Sequence, residues 1–157
     1  MTDYIKWIRN QVGHAPIFVN AASGIIVNAA GAVLLQRRGG GERENAWSIP
    51  GGVMEIGERA QDTVRREIRE ETGLEVEIGD LVGIYTCPEL VEYPNTDKCQ
   101  MVTQVFVCRS IGGQLKIDGD ETLELMYFQK EDRPKMFRKH LERAIQDFEA
   151  GIFGVSR

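Results

Sequence analysis

Cysteine is scarce in this chain, and what there is falls in no framework. Cys87, Cys99 and Cys108 are an odd number with no CxxC spacing. Neither a set of disulfides nor a zinc site is expected; the three read as small core residues of a reducing compartment. Long apolar runs are also missing. No stretch approaches eighteen residues, and the opening MTDYIKWIRNQ has no apolar h-region, so the expectation is a soluble, cytoplasmic protein without a membrane partner. Basic charge is outweighed, with 19 Lys and Arg against 24 Asp and Glu. A net charge of −5 gives no basic stripe for duplex nucleic acid, although small phosphorylated ligands remain compatible. Repeats, low-complexity segments and linkers are absent, so residues 1–157 are expected to form one domain. The glycine run Gly39-Gly40-Gly41 lacks the lysine and strand-to-helix setting of a P-loop and reads as a loop.

Acidic residues are plentiful in one place. Between Glu58 and Thr72 there is no proline or glycine, and good helix formers predominate, which predicts a helix. At about 100° per residue Glu67 and Glu71 project together one turn apart, with Glu70 on the flank. Val64 and Ile68 border that acidic edge, while Arg65 and Arg69 point away. Like charges at this spacing cost roughly 0.2–0.5 kcal/mol in water. The repulsion approaches about 3 kcal/mol at 5 Å where the effective dielectric is near 20. A divalent cation would remove the conflict, since Mg²⁺ takes oxygen ligands and keeps waters for a phosphate-bearing partner. An ordinary charged helix face, with Arg66 and Glu70 paired, accounts for the spacing equally well.

The spacing carries a resemblance. Gly52, five residues, Glu58, seven residues, and then Arg66-Glu67-Ile68-Arg69-Glu70-Glu71-Thr72-Gly73-Leu74 match every fixed position of the Nudix box. A chance match is on the order of 10⁻⁹ per starting position at average residue frequencies. The match covers residues 52–74; the remainder agrees only in the order of its elements.

Around the box, residues 4–12 predict a short amphipathic helix capped by Asp3 and stopped by Gly13, packed on its own domain or serving as an oligomer contact. Ile17–Asn28 and Ala32–Arg37 predict a hairpin across Asn28-Ala29-Ala30-Gly31. Arg37 and Arg38 are candidate phosphate binders. Trp47 suits core packing or the border of a ligand. Residues 76–86 and 101–108 predict strands, joined by a polar binding loop, PELVEYPNTDKC. Residues 123–128 predict another strand. Pro134 is expected to open a helix to Glu149 with Met136, Phe137, Leu141, Ile145 and Phe148 on its core stripe and His140 structural.

The pattern alone gives an α+β sandwich around a mixed sheet. The resemblance implies the Nudix fold, an α/β/α sandwich, and Mg²⁺-dependent hydrolysis of a nucleoside diphosphate linked to another group, Mn²⁺ being a possible substitute. It implies Glu67 and Glu71 as principal metal ligands, Glu70 as support, the Gly51 carbonyl as a further ligand, and Arg66 orienting Glu67. The general base is left open between the box and a late acidic turn, Asp118-Gly119-Asp120-Glu121, in which Glu121 is preferred for reach and a solvated turn is the other reading. Pro88 lies near where a proline marks ADP-ribose-hydrolysing members, which favours ADP-ribose or a nucleotide sugar over a nucleoside triphosphate. A nucleotide sensor and an enzyme for RNA 5′ ends are the rival classes. A monomer or a homodimer fits equally.

Overall fold

The computed structural model describes residues 3–39, 45–117 and 119–157. Gly40, Gly41, Asp118 and the side chain of Asp3, for which a loop, an acidic turn and a helix cap were expected, lie outside the described residues. Helix α1 spans Asp3–Val12 and ends where the Gly13 amide donates to the Arg9 carbonyl at 2.8 Å. Arg9 ties the helix down, donating to the Lys98 carbonyl at 2.7 Å.

Strand β1 (Ile17–Ile26) runs parallel to the long β7 (Lys98–Gly113) in full register, Ile17 opposite Cys99 through Ile26 opposite Cys108. The short β4 (Gly51–Val53) adds to β1, and β5 (Leu74–Thr86) pairs antiparallel with the other edge of β7. With β9 (Val155–Ser156) on β5 and β6 (Val91–Glu92) on β7, this makes a six-stranded mixed sheet. A second, antiparallel sheet orders β3 (Trp47–Ser48), β2 (Val33–Arg38) and β8 (Thr122–Phe128). The predicted hairpin is therefore corrected: β1 and β2 follow a tight turn but part into different sheets, joined by one bridge between Val27 and Val33. Each strand has a better partner elsewhere, β7 for β1 and β8 for β2.

The period-2 alternation of side chains puts a helix on each face of these sheets. Ile26 and Phe106 turn toward helix α2 (Ala60–Thr72), meeting Val64 and Ile68. Their neighbours Ile25 and Val105 turn toward helix α3 (Lys139–Glu149), meeting Leu141, Ala144 and Ile145. This is the α/β/α arrangement expected of an α+β Nudix fold. Cys99 and Cys108 are buried free thiols and Cys87 is half-buried. Among the described residues no helix is long and apolar enough to cross a membrane.

Two helix boundaries differ from expectation. α2 begins at Ala60, because Glu58 is spent on the turn before it, accepting from the Glu55 amide at 3.0 Å and the Thr63 hydroxyl at 2.8 Å. α3 begins at Lys139 rather than at Pro134, because Met136 is drawn into a bridge beside Trp47. Phe137 is left 48% exposed, off the core stripe.

Candidate active site

The end of α2 is fixed first. Gly73 takes φ +75° to stop the helix, and a Cβ there would lie 2.5 Å from the Gln114 carbonyl oxygen, so only glycine fits. Its amide bonds back to the Arg69 carbonyl at 3.0 Å. Arg65 and Arg69 face solvent, as the wheel predicts.

On the opposite edge, Arg66 is the hub. Its guanidinium donates to both oxygens of Glu58, at 2.7 and 2.9 Å, to Oε1 of Glu67 at 2.6 Å, and to the Val53 carbonyl at 3.2 Å. The bond to Arg66 pulls the Glu58 carboxyl down to about 2, and Glu58 in turn raises Arg66 above the usual guanidinium range. Glu58 thus anchors the arginine that aims Glu67. The Glu67 carboxylate lies against Gly52, where any Cβ would collide with it.

Glu67 and Glu71 open onto one cavity of about 660 Å³ together with Arg38 and Glu121. Glu71 is only 7% exposed, and its Oε2 accepts the Gly51 amide at 2.9 Å. Burial pushes its carboxyl up to about 7, against the pull of Gln36 and the Gly51 amide. Burial also raises Glu67, and Arg66 opposes it; the charges of Glu70 and Glu121 push further upward. Two carboxylates are thus held close together in a place that disfavours their charge.

The structure does not gather every predicted residue there. Glu70 has a 59% exposed side chain and faces a separate cleft with Asp62, Arg65 and Arg69. Arg37 is engaged by Glu124 at 2.9 Å and by Asn45, and only Arg38 of the arginine pair reaches the cavity. Trp47 packs edge-on to Phe128 with ring centres 5.0 Å apart and lines no part of the cavity, so its place is in the core. Pro88 is exposed and also lies off the cavity.

Other residues enter unannounced. A second lobe of about 320 Å³ shares Arg38, Gly51, Gly52 and Tyr93 with the first. It is lined by His140, which burial and the Arg138 charge lower to about 4 and which sits 3.4 Å from the Thr103 hydroxyl. The expected binding loop supplies Tyr93, Pro94, Asn95 and Asp97, and α1 supplies Ile5 and Arg9. Gln36, buried and facing Glu71, was missed; a polar residue directly after the apolar run Val33–Leu35 in the same strand was its signal.

Among the described residues no group of three or more His, Cys, Asp or Glu is set to hold an ion. That does not suit a metal that needs an all-protein cage. It does suit Mg²⁺, which binds through one or two carboxylates and takes its other ligands from water and substrate phosphates. Glu67 and Glu71 are two carboxylates on one cavity.

The NUDIX domain family model matches residues 18–148. The chain is 32% identical over 123 residues to a protein of Methanocaldococcus jannaschii named ADP-ribose pyrophosphatase, covering 78% of this chain and 69% of that one. It is 30% identical over 140 residues to a Bacillus subtilis protein named "Putative 8-oxo-dGTP diphosphatase", covering 89% and 86%. Among solved structures, a UDP-X diphosphatase superposes with a TM-score of 0.72 at 20% identity, over 99% of this chain and 74% of the other. With the box, the fold and the family match in agreement, the chain belongs to the NUDIX family.

Proposed function

We propose that the protein is a metal-dependent pyrophosphohydrolase cleaving a phosphoanhydride bond in a nucleoside diphosphate linked to a further group. The observation that carries this reading is the convergence of Glu67, Glu71, Glu121 and Arg38 on one cavity. Glu67 and Glu71 would hold Mg²⁺, or Mn²⁺ in its place, with the Gly51 carbonyl as a further ligand and Glu70 in support; a cation there would supply neutralisation of phosphate charge and a more acidic water. Arg66 keeps Glu67 aimed. Arg38 meets phosphate oxygens with its guanidinium fork. Glu121 approaches from a loop, apart from the helix, and accepts the proton of the attacking water. The new P–O bond forms as the bridging oxygen leaves.

For the group beyond the diphosphate, ADP-ribose or a nucleotide sugar comes first. The same cavity is lined by Asn95 and Asp97 of the binding loop, polar groups suited to a sugar's hydroxyls, and the Methanocaldococcus jannaschii relative bears the matching name. A nucleoside triphosphate is the second reading, favoured by the Bacillus subtilis relative, which matches more of this chain. The partner is in either case a small nucleotide rather than a duplex. Product analysis on ADP-ribose, nucleotide sugars and nucleoside triphosphates, with and without Mg²⁺, tests this. AMP and ribose 5-phosphate from ADP-ribose, only with metal, is the expected result. Turnover of triphosphates alone establishes the second reading, and binding without hydrolysis of any of them makes the protein a sensor.

A further inference from the structure

Gln36 occupies a position in β2 that its neighbours fill with Val33, Leu34 and Leu35, and it is just 1% exposed. A primary amide placed so deeply is costly unless its groups are bonded. Its Oε1 accepts from the hydroxyl of Thr122, itself fully buried, at 3.1 Å. Its Nε2 has no hydrogen-bond partner of normal geometry, the only buried side-chain nitrogen or oxygen of that kind among the described residues. With the oxygen turned to Thr122, the NH₂ group is the one left for Glu71, and an ionised carboxylate can only accept. The Glu71 carboxylate is the acceptor that the Gln36 side chain faces.

We propose that Gln36 is a positioning residue for Glu71: Thr122 fixes the direction of its amide, and the waiting NH₂ closes on the carboxylate when a cation is bound. The inference rests on the metal-site reading above. Groups that hold a ligating carboxylate typically change metal affinity by about 10–100-fold when removed. Because the NH₂ lacks a full bond in the metal-free protein, removing it should disturb metal binding more than folding.

The test measures Mn²⁺ binding by paramagnetic resonance of the free ion, and thermal unfolding in EDTA, for the wild type and five variants. Gln36→Met keeps the side chain's length and removes the amide. It should weaken Mn²⁺ binding about 10–100-fold while shifting the metal-free Tm by no more than about 3 °C. Thr122→Val should weaken binding in the same direction, and Thr122→Ser, which keeps the hydroxyl, should restore it. In a Glu71→Gln background, Gln36→Met should add no further loss. A Tm loss with Mn²⁺ affinity unchanged makes Gln36 merely structural and overturns the inference alone, as does equal binding by Thr122→Val and Thr122→Ser. No Mn²⁺ binding by the wild type overturns the metal site, and the inference with it.

Discussion

The two helices that flank the sheets each bury one carboxylate, and the two are treated in opposite ways. Asp147 on α3 is 1% exposed and is met by the Tyr85 hydroxyl at 2.9 Å, Arg157 Nε at 2.8 Å and Arg143 Nε at 3.3 Å. Burial alone would raise its carboxyl, but those partners outweigh burial and hold it below the usual range. Glu71 on α2 is nearly as buried, yet it has one backbone amide, a half-engaged Gln36 and a like-charged neighbour in Glu67. Its carboxyl rises to about 7. Burial of charge alone therefore does not separate the two carboxylates; the number of donors around each does.

The comparison breaks most visibly under substitution. Glu71→Gln and Glu67→Gln should each lower turnover by about 10²–10⁴-fold, the range for a positioned charged or acid–base group. Their folds should survive, with slight stabilisation of the metal-free helix from relieved i,i+4 repulsion of about 0.2–0.5 kcal/mol. Asp147→Ala should do the reverse, stranding three donors and costing about 3 kcal/mol, the low end for a broken buried pair because both arginines stay partly exposed. Turnover per folded molecule should hold at low temperature. Urea unfolding and initial rates on the same samples decide the matter. If Asp147→Ala loses activity while keeping its stability, the distinction between the two carboxylates fails.

Titration should sharpen the contrast, because Glu71 and His140 couple to folding with opposite signs. A Glu71 pKa raised from 4.5 to about 7 means the native state keeps a proton that the unfolded chain has released. Its contribution is full below pH 4.5 and is lost as pH rises through 7, up to about 3–4 kcal/mol at about 1.4 kcal/mol per unit. His140, lowered from 6.5 to about 4, contributes fully above pH 6.5 and loses that as pH falls through 4. In EDTA, wild-type stability relative to Glu71→Gln should fall between pH 4.5 and 7.5, and relative to His140→Leu it should rise. A wild-type to Glu71→Gln difference flat across this range removes Glu71 from the set of strained groups.

What could be read from the chain beforehand was what depends on near neighbours. Helix α2, its stop at Gly73 and the shared edge of Glu67 and Glu71 follow from spacing within one segment. The strands were mostly found, but their partners were not. Asn28-Ala29-Ala30-Gly31 makes its turn as expected, yet pairing is decided by β7 and β8, about eighty residues or more farther along. The same distance hid the part of the cavity wall where Arg9 from α1 meets Asp97 before β7. Arg37 and Arg38 are chemically alike in sequence, and the strand separates them: Arg37 is bound by Glu124, whereas Arg38 is left to the cavity. Trp47 had two readings open to it, and Phe128, eighty-one positions away, settles them in favour of the core.

The finest cut is between Glu121 and Glu70, two carboxylates that the box and its late loop both nominated. Glu70 belongs to the motif, but its side chain is 59% exposed and turned to the cleft with Asp62 and Arg69. Glu121 lies outside the motif, but it lines the cavity and its charge is felt at Glu67. If position relative to the cavity matters more than membership of the motif, Glu121→Gln should lower kcat about 10²-fold, as loss of a general base does, with Mn²⁺ affinity nearly unchanged. Glu70→Gln should then cost about tenfold or less, through the support Glu70 gives to metal binding and to Arg66, its partner at 3.5 Å. The two effects also differ in kind: adding Mg²⁺ should recover part of the Glu70→Gln loss and none of the Glu121→Gln loss. A Glu70→Gln defect as deep as that of Glu71→Gln at saturating Mg²⁺ would mean that the cation turns Glu70 inward to share it. Full activity of Glu121→Gln from pH 6 to 9 would return the base to the helix, with Glu67 as the first candidate.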